Sequence, residues 1–205
     1  QLASGYLHSA VTILFLLLVV RDALLLLTWP FRRSTGRQRK IFYGHKEKKP
    51  ASGFWAFTLV LLALALSGYG MREALRVPPV REVRMQVPGL PDALNGFRIA
   101  QLSDLHIGPT FGKAWLTDVV ARTDSLNPDL IVITGDVVDG SPSRLEEDVA
   151  PLADLKAKYG VIFAPGNHEY YSGIQQWLPV FQRLGMHVLM NENTQIRVNG
   201  TPLAI

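Results

Sequence analysis

The chain contains no cysteine. Disulfides and thiolate metal sites are therefore excluded, any metal must be held by oxygen and nitrogen, and redox chemistry says nothing of the compartment. It has no internal repeat and no low-complexity segment beyond one basic stretch. No basic leader and small-residue cleavage site frame the first apolar run, which argues against a secretory signal peptide. Acids are nearly missing from one place. Between Pro30 and Gly53 stand Arg32, Arg33, Arg37, Arg39, Lys40, Lys46, Lys48 and Lys49 against Glu47 alone. From Arg72 onward there are 12 basic and 15 acidic residues, a net of −3. The formal charge of +4 thus belongs to one loop, and a nucleic-acid-binding reading of the chain loses its support.

The 205 residues suit about one domain with additions. The first residue is Gln rather than Met, and Leu203-Ala204-Ile205 reads as a strand interrupted midway. The sequence is therefore expected to be a piece of a longer chain. Leu7 to Val20 is almost wholly apolar, and the run resumes from Ala23 to Trp29 after Arg21-Asp22. A membrane span needs about 20 apolar residues, so two readings are open. The charged pair lies inside one span, or it closes a span whose beginning is absent; the expense of an intramembrane ion pair favours the second. Phe54 to Tyr69 is uncharged, with Trp55 and Tyr69 near its ends, as an aromatic belt requires. A buried core helix is the alternative. The eight basic residues make the intervening loop cytoplasmic by the positive-inside rule and put the remainder on the other side; they also suit anionic lipid headgroups.

The expected organisation is a transmembrane helix over 1–29, incomplete at its start, a basic cytoplasmic loop over 30–53 and a second transmembrane helix over 54–71. A linker and edge strand follow over 72–96, then an α/β domain over 97–205. Val77-Pro78-Pro79 breaks any helix, while Glu82 to Val87 alternates polar and apolar side chains as an edge strand does. The ten residues from Arg72 to Arg81 reach at most about 35 Å, which holds the domain near the bilayer. A transporter or channel finds only two hydrophobic segments here, without pathway-forming polar residues.

Beyond Phe97 strands and helices alternate. Strands are expected over Arg98–Leu102, Leu130–Thr134, Gly160–Ala164, Met186–Met190 and Gln195–Val198, and helices over Lys113–Leu126, Glu146–Ala157 and Ile174–Leu184. Leu130 to Thr134 lacks alternation, so it is buried on both faces. The order is that of an α/β sheet with parallel core strands. Ligands in such sheets bind beyond the carboxyl ends of strands. The first strand ends in Ser103-Asp104-Leu105-His106, and its extended geometry would aim Asp104 and His106 to one side. The second ends in Gly135-Asp136-Val137-Val138-Asp139-Gly140 and the third in Gly166-Asn167-His168-Glu169. Each has a turn or cap explanation alone. Three successive strands ending in oxygen and nitrogen donors point instead to a shared site, where glycines let the backbone approach an ion or phosphate.

Asp104-x-His106, Gly135-Asp136-x-x-Asp139-Gly140 and Gly166-Asn167-His168-Glu169 resemble the first three motifs of calcineurin-like metallophosphoesterases. With the apolar segments, they look most like bacterial membrane-anchored members similar to UDP-diacylglucosamine pyrophosphohydrolases. The resemblance covers about Asn95 to Ile205 and implies the first half of an αββα sandwich. It implies two divalent metal ions, Mn, Fe or Zn, which mixed carboxylate, imidazole and amide donors suit better than Ca²⁺. Asp104 and His106 would bind the first ion, Asp136 would bridge both, and Asn167 would bind the second. His168 would face the substrate as a catalytic residue, with Asp139 hydrogen-bonded to it. Glu169 is expected to hold the loop. Two cations about 3.5–4 Å apart neutralise phosphoryl oxygens and lower the pKa of a bridging water, making hydroxide available near neutral pH.

Two departures stand out. Gly140 occupies a position where the family pattern often has Arg. The family's further histidines, in a Gly-His-x-His motif, come from later strands, whereas the last histidine here is His187, read as structural. The segment alone is therefore expected to bind metal weakly and turn over little. The implied function is membrane-anchored hydrolysis of a phosphate mono- or diester, with a lipid-linked pyrophosphate as one candidate. The alternative is a non-catalytic tethered binding module. Phe111, Trp115, Tyr170, Tyr171 and Trp177 lie near the loops in sequence, either as a lipid- or nucleobase-binding rim or as packing.

Overall fold

The computed structural model describes residues 2–34 and 52–205. Most of the basic loop expected over 30–53 lies outside the described residues. The chain divides into two compact units, residues 1–75 and 76–205.

The first unit is a pair of helices, α1 (Leu2–Ser34) and α2 (Ser52–Ala74). Ala3–Leu27 and Phe54–Ala74 are long and apolar enough to cross a membrane. Small residues make their contact: Ala10, Ala63 and Ser67 are buried, and small side chains let backbones come close. The Tyr6 hydroxyl donates to the Leu64 carbonyl at 3.0 Å, and Ser67 Oγ donates to the Tyr6 carbonyl at 3.0 Å. Leu7, Phe15, Leu26, Phe54 and Phe57 face outward, an inversion of soluble packing that suits a hydrocarbon surround. α1 runs unbroken through Arg21 and Asp22, whose charged groups lie 3.6 Å apart. The pair therefore lies within one continuous helix, in its apolar stretch Ala3–Leu27. Neither residue breaks a helix, and adjacent opposite charges partly neutralise each other.

In the second unit the edge strand expected over Glu82–Val87 does not form; residues 76 to 87 are outside regular structure. Alternation supplies a strand's faces but not its hydrogen-bond partner, and among the described residues no strand pairs with this segment. Val83, Met85 and Val87 remain exposed.

The mixed α/β architecture is as expected. Strands β1 (Ile99–Leu102), β2 (Leu130–Ile133), β3 (Val161–Phe163) and β4 (Met186–Val188) form one parallel sheet in chain order. Its register pairs Leu102 with Ile133 and Ile133 with Phe163. Connections run through α3 (Lys113–Asp124), α4 (Pro142–Val149), and α5 (Asn167–Tyr171) with α6 (Ile174–Arg183). Sequential parallel order with right-handed crossovers puts every helix on one face. There Leu116, Val120, Val149 and Phe181 pack on Ile131, Ile133 and Phe163 in the main core. On the other face Leu130 and Ile162 are covered in part by Ile196, which belongs to an antiparallel hairpin of β5 (Gln195–Val198) and β6 (Thr201–Ala204). Ile99 on that face stays 51 % exposed.

The helix expected over Glu146–Ala157 is displaced. α4 begins at Pro142, a residue pre-set for the first helical turn, and ends at Val149. A 3-10 turn follows over Ala150–Asp154, because Pro151 brings no N–H and its ring crowds the preceding turn. His187 lies exposed within β4, on the outer strand of the sheet.

Candidate metal centre

The strand order brings the carboxyl ends of β1, β2 and β3 side by side, and the loops beyond them continue the pairing. Asp104 N–H donates to the Gly135 carbonyl, His106 N–H to Asp136, Ile107 N–H to Val137 and Asp139 N–H to Ile107, over 2.8–3.2 Å. This zipper fixes an unusual backbone. Asp104, His106 and Asp136 all have left-handed conformations, with φ of 55°, 46° and 55°. Such φ values cost about 1–3 kcal/mol each for residues other than glycine, and the loop-to-loop bonds hold them. Asp104 and His106 therefore do not continue an extended strand, contrary to the i, i+2 geometry expected of them. They converge through left-handed turns instead, with His106 Nε2 and Asp104 Oδ1 3.8 Å apart.

Two glycines permit the close approach of the second and third loops. A side chain at Gly135, itself at φ +83°, would collide with the backbone of Gly166, and one at Gly166 would collide with the Asp136 carboxylate. Asp136 Oδ1 in turn accepts the His168 N–H at 3.0 Å. Glu169 closes the assembly. Its fully buried carboxylate accepts N–H bonds from Asp136, Val137, Val138 and Gly166 at 2.9, 2.6, 3.2 and 2.7 Å. A buried carboxylate is tolerable when its lone pairs are met this fully. Glu169 thus holds the loop as expected, and it also clamps the Gly135–Val138 backbone, which local sequence did not signal.

Asp139 Oδ1 lies 2.6 Å from His168 Nδ1 and 3.1 Å from His106 Nδ1. With the proton of each ring on Nδ1, both Nε2 atoms keep a lone pair free. The Asp139 hydrogen bond pushes the His106 pKa up against its partial burial, and the charges of Asp139, Asp136 and Asp104 add to the rise. Burial works to raise the Asp139 carboxyl, yet the bonds from His106 and His168 outweigh it and hold it below the usual carboxylate range.

His106, Asp136 and His168 each present one donor atom, all within 4.8 Å of one another. A carboxylate oxygen and two imidazole nitrogens at that spacing fit a divalent ion of the Mn, Fe or Zn type. Asp104 stands exposed at the rim, where Ser103 Oγ donates to its Oδ2 at 2.5 Å. Asn167 is exposed as the first residue of α5. The aromatic residues separate. Trp177 is fully buried and donates from Nε1 to the Gly140 carbonyl at 2.9 Å. Phe111 and Trp115 are half-buried and pack on the core, whereas Tyr170 and Tyr171 are exposed.

A family model described as calcineurin-like phosphoesterase matches residues 97–204. A zebrafish transmembrane protein with metallophosphoesterase domain is 37 % identical over 153 residues, which cover 73 % of this chain and 35 % of the relative. A cattle protein of the same description is 38 % identical, over 69 % of this chain and 32 % of its own. An uncharacterized metallophosphoesterase of Campylobacter jejuni is 31 % identical over 68 % and 37 %. The matched part thus amounts to about a third of the length of these relatives. No solved structure matches. The family uses divalent metals for phosphoester hydrolysis, in keeping with the donors assembled here, and on the match over residues 97–204 the chain belongs to the calcineurin-like phosphoesterases.

Proposed function

We propose that the chain carries the metal-binding strand ends of a membrane-tethered phosphoesterase that hydrolyses a phosphate mono- or diester with two divalent ions. The observation that carries this reading is the convergence of His106, Asp136 and His168 from three loops to within 4.8 Å. Asp104 and His106 would hold one ion, Asp136 would stand between both, and Asn167 would hold the second through its amide oxygen. When bound, such ions neutralise phosphoryl oxygens and make water more acidic. His168 stabilises charge on the phosphoryl group or gives a proton from Nε2 to the leaving oxygen. Asp139, bonded to its Nδ1, fixes the orientation of the ring and aims Nε2 toward that position. The spacing of Asp136 and His106 from His168 also allows His168 to serve as a metal donor, so the experiment includes it.

The two apolar helices and the description of two relatives as transmembrane proteins support the tether. The basic loop favours a catalytic domain outside the cytoplasm. A tether of about 35 Å at most favours a substrate at the bilayer surface, a lipid-linked pyrophosphate among them. Mn²⁺ binding by the chain, followed calorimetrically, is expected to disappear in Asp136→Ala. His168→Ala is expected to keep Mn²⁺ binding but to lose bis-p-nitrophenyl phosphate hydrolysis in the intact protein; loss of Mn²⁺ binding would make His168 a ligand. Equal binding and equal hydrolysis in all three proteins would remove the assignment. Mn²⁺ binding without hydrolysis by the intact protein would favour a non-catalytic tethered module.

A further inference from the structure

Two large aromatic side chains stand in solvent immediately after the His168-Glu169 pair. Tyr170 is 55 % and Tyr171 80 % exposed, while the buried Trp177 shows that this neighbourhood can absorb an aromatic ring when packing requires one. Tyr171 is next outward from the donors: its ring centroid lies 5.8 Å from that of His168, with 63° between the planes. His168 in turn stands 4.5 Å from the His106 ring. The backbone beneath is fixed. Ser172 N–H donates to the His168 carbonyl at 2.8 Å, and Ser172 Oγ to the Val138 carbonyl at 3.2 Å. Gly173, at φ 93°, then turns the chain into α6. A tyrosine on such a support has two side-chain torsions to immobilise, so a contact with it loses little entropy.

We infer that Tyr171, flanked by Tyr170, is a specificity surface that favours phosphoesters whose organic group is a flat aromatic ring, aryl or nucleobase, over those with a saturated group. This rests on the phosphoesterase reading above. A phosphoryl group bound at an ion held by His106, Asp136 and His168 would have the Tyr171 ring, next to His168, within reach of its organic substituent. Ring-on-ring stacking at such a place is tolerant of sequence or substituent but demands a π face. Neither the phosphoryl donors nor the buried Trp177 supplies that discrimination.

The test uses binding rather than turnover. The intact protein in detergent with Mn²⁺ is titrated with inorganic phosphate, methylphosphonate and phenylphosphonate, none of which is a hydrolysable ester. Phenylphosphonate is expected to bind about 5- to 10-fold more tightly than methylphosphonate, the scale of one exposed stacking partner. Tyr171→Ala is expected to remove that preference and Tyr171→Phe to retain it, with phosphate affinity unchanged in both. The side chain is mostly in solvent, so circular dichroism should show both variants folded. Equal binding of the two phosphonates by the parent chain, or an undiminished preference in Tyr171→Ala, overturns the inference and leaves the phosphoryl site standing. Failure of phosphate and both phosphonates to bind overturns the phosphoesterase reading, and this inference with it.

Discussion

Asp139 and His168 meet through a 2.6 Å contact between Oδ1 and Nδ1, although 29 residues separate them. The same oxygen stands 3.1 Å from His106 Nδ1, so one carboxylate from the second loop orients imidazoles from the first and third. Hydrogen-bonded carboxylates of this kind select the ring tautomer and aim the other nitrogen.

Asp139→Asn keeps the side chain's shape but removes its charge and one acceptor. Mn²⁺ affinity measured calorimetrically is expected to fall about 10- to 100-fold. The fold should survive, because Asp139 is partly exposed. Unchanged affinity would mean that the two imidazoles are aimed by something else.

Glu169→Gln replaces an acceptor-only group with one that carries two N–H donors, facing four backbone N–H groups. Each carboxylate oxygen accepts two of these bonds, so two buried donors lose their acceptor, at about 1–3 kcal/mol each. Urea unfolding followed by tryptophan fluorescence should show a loss of at least about 2 kcal/mol. A change within 0.5 kcal/mol, roughly the range of ordinary surface substitutions, would show that the clamp does not stabilise the fold.

Gly166→Ala places a methyl group against the Asp136 carboxylate and backbone. Overpacking of this kind destabilises by about 1–3 kcal/mol, and Mn²⁺ binding should weaken because Asp136 must move. Thermal unfolding and metal titration on the same samples check both. Unaltered metal affinity would argue that the approach of the two loops is not what positions the carboxylate.

Trp177→Phe removes the 2.9 Å bond to the Gly140 carbonyl and shrinks a fully buried ring. Stability should fall by about 1–3 kcal/mol, while phenylphosphonate affinity in the presence of Mn²⁺ should be unaffected. Loss of affinity without loss of stability would return Trp177 to the substrate side.

Much of the parallel sheet was legible in the sequence. The unbroken apolar run at Leu130–Ile133 marked an interior strand, and three of its four side chains are buried. The donor-rich motifs after β1, β2 and β3 also fell at adjacent strand ends, because strand-helix alternation leaves few other topologies. Sequence patterning was less able to end the elements. It missed the stop at Pro151 and proposed a strand at Glu82–Val87, whose pattern is local but whose ladder partner is not.

What the sequence by itself determined is the list of donors, their attachment to strand ends and the two apolar helices, since periodicity and turn residues are properties of neighbours along the chain. Only the tertiary structure decided the left-handed backbones of Asp104, His106 and Asp136, the four bonds to Glu169, the burial of Trp177 and the exposure of Tyr171. Each of these depends on atoms from separate loops or on space left after packing. Glu169 reaches Val137 across 32 residues and Trp177 reaches Gly140 across 37, and no local pattern encodes such meetings.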